Sequence, residues 1–113
     1  MNDTEKLIRE SFKAWQNDDR ESIESIVAQD FTFTSPYDDR IDRPEFFKRC
    51  WSHSNKIDSF SILSLITQGN EGFARYRCYL KSGQDFENTE YFETNGKQIT
   101  KVIVFFGALP GST

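Results

Sequence analysis

Apolar positions near the amino terminus recur at helical spacing. Leu7, Ile8, Phe12 and Trp15 fall on one face with Ser11 among them, and Asn2, Asp3 or Thr4 precedes them as a candidate cap. Asn17-Asp18-Asp19 breaks the pattern. A shorter helix then presents Ile23, Ile26 and Val27 on one face. The period changes to two over 31–35, and Pro36, which cannot donate to a strand ladder, closes that strand. Residues 36–43 read as a charged loop. Pro44 opens a third helix, where its missing N–H costs least, and Phe46, Phe47, Cys50 and Trp51 form its apolar face. From Ile57 onward the spacing is strand-like over 57–68, 73–81, 86–94 and about 98–106. The turn signals Gly69-Asn70-Glu71-Gly72, Ser82-Gly83-Gln84-Asp85 and Asn95-Gly96 separate these runs, and 107–113 reads as a short tail.

Three helices interrupted by one strand, then a four-stranded antiparallel meander, make an α+β pattern in which the helices cover one face of the sheet. The stretch Val102-Ile103-Val104-Phe105-Phe106 is apolar on both faces, whereas a sheet solvated on one side would alternate. A domain this small has no second layer to spare, so a homodimer through the sheet is expected. No repeat or linker divides the chain, and residues 1–113 read as one domain.

Composition narrows the function classes. The 113 residues carry Lys+Arg 14 against Asp+Glu 18, a net charge of -4, which argues against nucleic acid or an anionic membrane as partner. Aromatic residues make up 15% of the chain, too many for a disordered segment. The longest apolar run falls far short of the ~20 residues a bilayer requires, and the polar start lacks a signal-peptide core, so a cytoplasmic protein is expected. Cys50 and Cys78 form neither a disulfide framework nor a zinc motif, and read as small packing residues. Asp38, Asp39, Asp42 and Asp58 lack a supporting histidine. No metal site and no cofactor are expected.

Four stretches resemble the nuclear-transport-factor-like superfamily, which includes ketosteroid isomerases, SnoaL-like polyketide cyclases and scytalone dehydratase. They are Phe12-Lys-Ala-Trp15-Gln-Asn-Asp-Asp19, Val27-Ala-Gln-Asp30-Phe31-Thr-Phe-Thr-Ser-Pro36, Asp42-Arg43-Pro44-Glu45-Phe46-Phe47 and Glu90-Tyr91-Phe92-Glu93-Thr94-Asn95-Gly96-Lys97-Gln-Ile99. The resemblance spans about the whole chain. It implies a cone: a strongly curved antiparallel sheet wrapped around three helices, with a pocket between them. It identifies a fold better than a chemistry, because this fold hosts many activities and many pure binders.

If 82–85 is a tight turn, Lys81 pairs with Phe86, which places Tyr79 opposite Asn88, Arg77 opposite Glu90 and Arg75 opposite Phe92 on one face. The other face carries Tyr76, Cys78, Leu80, Glu87, Thr89 and Tyr91. Both faces are mixed, and periodicity alone does not choose the concave one. The resemblance chooses the first set. With a bulge after Asn95-Gly96, Val102, Val104 and Phe106 join it. Ser11 and Trp15 look in from the first helix and Ser35 from the first strand, and Phe47 and Trp51 close the side. The resemblance also places Ser35, Ser11 and Asn88 where ketosteroid isomerases carry their base aspartate, tyrosine and second aspartic acid. Steroid-isomerase chemistry is therefore not expected.

Glu90 facing Arg77 would be held ionised and so be a poor proton acceptor. Three readings stay open for the pair: a structural ion pair, an anion site in which Glu90 orients Arg77 toward a ligand carboxylate, and a catalytic Glu90. His53, the only histidine, reads as a solvent-facing helix-end residue or as a base at the pocket mouth. The leading expectation is a homodimeric SnoaL-like protein that binds a small, partly apolar organic molecule, anionic in the anion-site version of that reading. The alternatives are an isomerase, dehydratase or cyclase using Glu90 or His53 with Tyr79 or Asn88 as donor, and an interaction module whose pocket is filled by Trp15, Trp51 and Phe106.

Overall fold

A computed structural model of the chain describes residues 3–108. Helix α1, Asp3–Gln16, buries Leu7, Ile8 and Phe12. Thr4 is not its cap. The hydroxyl lies inside the helix, donates to Gly69 O at 2.9 Å and meets Thr94 Oγ1 at 3.1 Å, tying α1 to the sheet. Asn2, another candidate cap, lies outside the described residues, as do 109–113 of the tail. Helix α2, Arg20–Ile26, is capped by Asp19, whose carboxylate accepts from Ser22 N at 3.1 Å. Val27 has extended backbone and begins β1, Val27–Ser35, rather than ending the helix face.

The expected loop after Pro36 contains a strand, β2, Asp38–Asp42, paired antiparallel to β1. Helix α3, Arg43–Arg49, follows directly, with Asp42 accepting from Glu45 N at 3.1 Å and Pro44 in the first turn. Trp51 is not on this helix. It opens a separate 3₁₀ helix, Trp51–Lys56.

Strands β3, Ile57–Gln68, β4, Glu71–Leu80, β5, Asp85–Thr94, and β6, Ile99–Phe106, form the expected antiparallel meander. β1 adds to its free edge, parallel to β6, giving the sheet order β2-β1-β6-β5-β4-β3. The sheet is curved and unclosed. Register shifts in β3 between Ile57 and Ser59 and between Ile62 and Ser64 mark two of the bends, since an extra residue kinks its strand.

The helices lie in the concavity. Phe12 packs edge-on against Tyr76 at 4.8 Å and Phe92 at 6.1 Å. Where α1 crosses β4, a Cβ on Gly72 would sit 2.8 Å from Ile8 Cδ1, so a larger residue there would push the Ile8 side chain aside. Arg43 locks α2 to α3 by donating to Glu24 O at 2.7 Å, while its guanidinium and that of Arg20 lie over the Phe47 ring at 5.1 and 4.7 Å.

Candidate functional site

Alternation along the strands sends the even-numbered side chains of β4, β5 and β6 into the cone. Among them Tyr76, Cys78, Leu80, Phe86, Asn88, Glu90, Phe92, Val102 and Val104 meet Phe12 and Trp15 of α1, Phe31 and Phe33 of β1 and Phe46 of α3 around a cavity of about 380 Å³. Its walls are overwhelmingly aromatic and aliphatic. The polar groups on it are few: Ser11, His53, Lys56, the Tyr76 hydroxyl, Asn88 and Glu90. Ser11 is already committed, donating to Ile8 O at 2.7 Å.

Glu90 sits at the centre of β5, opposite Ala74 on one side and Val104 on the other. The short side chain of Ala74 leaves the carboxyl room and offers it no partner. Glu90 keeps part of its surface on the cavity, but protein atoms surround it closely. Desolvation dominates and lifts its carboxyl from the ordinary 4.5 to about 7, against the opposing effect of a hydrogen bond from Tyr76.

A short hydrogen-bonded chain orients that tyrosine. Gly107 N–H donates to Asn88 Oδ1 at 3.4 Å and to Glu87 O at 2.9 Å. With its oxygen engaged, Asn88 turns Nδ2 to donate to Tyr76 Oη at 3.3 Å. The Tyr76 proton is then free to point at Glu90. A Cβ on Gly107 would collide with Glu87 O, so glycine is required where this strand end closes on β5. Burial, then the charge of Glu90, pushes the Tyr76 hydroxyl well above its usual range, so it remains a donor at neutral pH.

The thiols take no part as nucleophiles. Burial pushes Cys50 up to about 12 and Cys78 up to about 11, which keeps both protonated. Among the described residues no group of three or more His, Cys, Asp or Glu side chains is placed to hold a metal ion, and no helix is long and apolar enough to cross a membrane.

Residues 8–102 match the family model described as a SnoaL-like domain. The chain belongs to the SnoaL-like family. Solved structures agree on the fold at low identity. An NTF2-like protein of unknown function from Cytophaga hutchinsonii ATCC 33406 is 18% identical, with 95% of this chain and 92% of that one covered and a TM-score of 0.75. A candidate ketosteroid isomerase from Kribbella flavida DSM 17836 is 16% identical, with 98% and 82% covered and a TM-score of 0.80. An LEH-like epoxide hydrolase of M. tuberculosis is 14% identical, with 93% and 79% covered and a TM-score of 0.77. No curated protein matches the chain.

Within this SnoaL-like cone, Ser11, Trp15, Asn88, Glu90, Val102 and Val104 line the cavity together. Arg75, Arg77 and Tyr79 do not. β4 ends at Leu80, where Leu80 N–H donates to Gln84 O at 2.9 Å, and the first pair of the hairpin is Tyr79 with Asp85 instead of Lys81 with Phe86. The register therefore differs from the expected one by an odd number of residues, and every β4 side chain changes face. Arg77 meets Asp85 at 2.9 Å and Arg75 meets Glu87 at 3.0 Å on the outer surface. The expected Arg77–Glu90 pair does not exist, and Glu90 is raised rather than held ionised.

The other expected wall residues lie elsewhere. Ser35 donates to Asp38 Oδ2 at 3.0 Å and accepts from Tyr37 N at 3.1 Å, holding the turn into β2. Phe47 is core. Trp51 is buried behind Trp15, with ring centroids 4.6 Å apart. Phe106 shares the parity of Val104 but lies past the cavity against Tyr37. His53 is exposed and lines the cavity with Lys56, which sequence reasoning did not single out. Sequence reasoning also missed Tyr76, Cys78 and Leu80 as wall residues. Their signal was available: on β4 the even positions are apolar while the odd ones carry both arginines.

Proposed function

We propose that this SnoaL-like protein takes a largely apolar small organic molecule into the cone and moves a proton on it with Glu90. One observation carries the reading: a carboxyl closely surrounded by apolar walls on the cavity, beside the neutral donors Tyr76 and Asn88, whose burial lifts it to about 7. A base works best when its pKa lies near the working pH. The Glu90 carboxylate takes a proton from a carbon next to a carbonyl and, once protonated, releases the Tyr76 hydroxyl, which with the second Asn88 N–H donates to the negative charge that develops. Apolar walls with few polar groups, at about 380 Å³, are the usual form of a small-ligand site. This open cavity favours a ligand over an interaction module, for which Trp15, Trp51 and Phe106 would have to fill it. The outward placement of Arg75 and Arg77 removes the basis for an anion seat beside Glu90.

The test needs no known substrate. Enolisable apolar ketones, such as cyclohexenones and tetralones, are incubated with the protein in D₂O, and deuterium uptake beside the carbonyl is followed by NMR. Wild type should exchange with a rate that rises through about pH 7, where Glu90 loses its proton, and Glu90→Gln should lose this exchange. Binding without exchange would leave a binder and refute the proton transfer.

A second copy of the chain is the proposed cover for the outer face of the sheet. That face exposes Phe73 (48%), Ile66 (70%) and Phe105 (53%) around the pairs Arg75–Glu87 and Arg77–Asp85. Apolar side chains flanked by charges of both signs suit a two-fold contact of one surface with itself. Light scattering on the purified protein decides it.

A further inference from the structure

A 3₁₀ helix turns once in three residues, so side chains three apart stand in rows. In Trp51–Lys56 the rows separate cleanly. Trp51 and Ser54 are buried, Ser52 and Asn55 face solvent, and His53 and Lys56 line the cavity. Both of the latter are exposed as well as lining, so they stand where the cavity opens to water. The helix that carries them is pinned on its buried side. Trp51 packs on Trp15, the Ser54 hydroxyl donates to the Asp18 carboxylate, and Lys56 O accepts from Lys81 N at 2.9 Å.

Among the described residues no carboxylate lies within ion-pairing distance of Lys56, and the His53 ring has no side-chain hydrogen bond. The guanidinium groups of Arg49, Arg75 and Arg77 are all engaged by carboxylates. Among the described residues, and apart from Glu90, His53 and Lys56 are the only ionisable side chains on the cavity besides the thiols and Tyr76.

Resting on the ligand reading above, we propose that His53 and Lys56 hold the anionic group of the ligand, which is an apolar organic acid. The orientation follows from desolvation. A carboxylate pushed to the floor would lose its water and meet Glu90, a group of the same charge type, without a cation to compensate. At the mouth the same carboxylate keeps its water, gains the Lys56 ammonium and receives an imidazole N–H, while the apolar body displaces water from the aromatic walls.

The test compares 2-naphthoate with its neutral counterpart 2-naphthalenemethanol by calorimetry at low salt, on wild type and on the double variant His53→Gln, Lys56→Met. Methionine keeps the apolar stem of lysine without the charge. Wild type should bind the acid at least about tenfold more tightly than the alcohol, and the double variant should bring the ratio to about one. Alcohol binding by the variant reports that its cavity is intact. Equal binding of the two probes by wild type overturns the anion seat and leaves the cavity reading standing. A preference for the acid that survives in the double variant also overturns the seat. Binding of neither probe overturns both readings.

Discussion

Replacing Glu90 by glutamine should change how stability depends on pH, and the size of the change follows from the burial of the carboxyl. In the unfolded chain Glu90 titrates near 4.5, and in the folded protein at about 7. Between those values the native state holds the proton that the unfolded state has lost, so stability falls as pH rises. The contribution is fully present below 4.5 and gone above about 7. Each unit corresponds to 1.36 kcal/mol, so the swing is about 3 kcal/mol, and nearer 2 if water entering the cavity screens the charge. Glutamine has the same shape and never ionises. Its different hydrogen bonding adds an offset that does not vary with pH, so the slope is the readout. Urea unfolding of both proteins from pH 4 to pH 8.5 gives the difference directly, because all other groups titrate alike in the two. The variant should gain 2–3 kcal/mol on wild type across that range, with the change centred between 4.5 and 7. Stability curves that stay parallel within about 0.5 kcal/mol would refute the account of Glu90 as a desolvated carboxyl.

Tyr76→Phe removes the hydrogen bond that favours the ionised carboxylate, so Glu90 should titrate higher still, as read by carbon NMR of its side chain. Gly107→Ala forces a methyl group into Glu87 O and should cost about 1–3 kcal/mol in urea unfolding, while loosening the Asn88 amide seen by proton NMR. Arg77→Ala should leave the affinity of the cavity for naphthalene-type probes within about twofold in calorimetry, since Arg77 lies on the opposite face of the sheet. Phe105→Glu places a charge in the exposed apolar patch, and light scattering should then read a monomer where wild type reads the proposed dimer.

The helices were legible because their determinants are local. Asp19 and Asp42 sit where a cap is needed, Pro44 sits in a first turn, and Leu7, Ile8 and Phe12 repeat at the helical period. The meander was legible from turn residues and alternation. β2 was not, because Asp38–Asp42 has a single apolar residue, Ile41, too few to show a period, and becomes a strand only through the ladder that β1 offers. The parallel contact between β1 and β6 joins segments some seventy residues apart, and no short-range pattern reports it.

For the cavity, the divide runs through single strands. Alternation grouped Asn88 with Glu90 on β5 and, across the bulge beside Asn95-Gly96, Val102 with Val104 on β6, and the family resemblance chose that face as the inward one. On β4 alternation separates an apolar even face from an odd face carrying both arginines, but which of the two meets Asn88 and Glu90 is a matter of register. It depends on how many residues the turn after Leu80 consumes, and an odd error there exchanges Arg75 and Arg77 for Tyr76 and Cys78. The same error reversed the charge state expected of Glu90, because a pKa is set by what surrounds a group in space and not by its neighbours in the chain. The sequence by itself determined every element but β2 and the 3₁₀ helix, their order and the family, since caps, turns and periods act over a few residues. Only the tertiary structure decided the register, and with it that the one acid in the cone faces a tyrosine and apolar walls rather than an arginine.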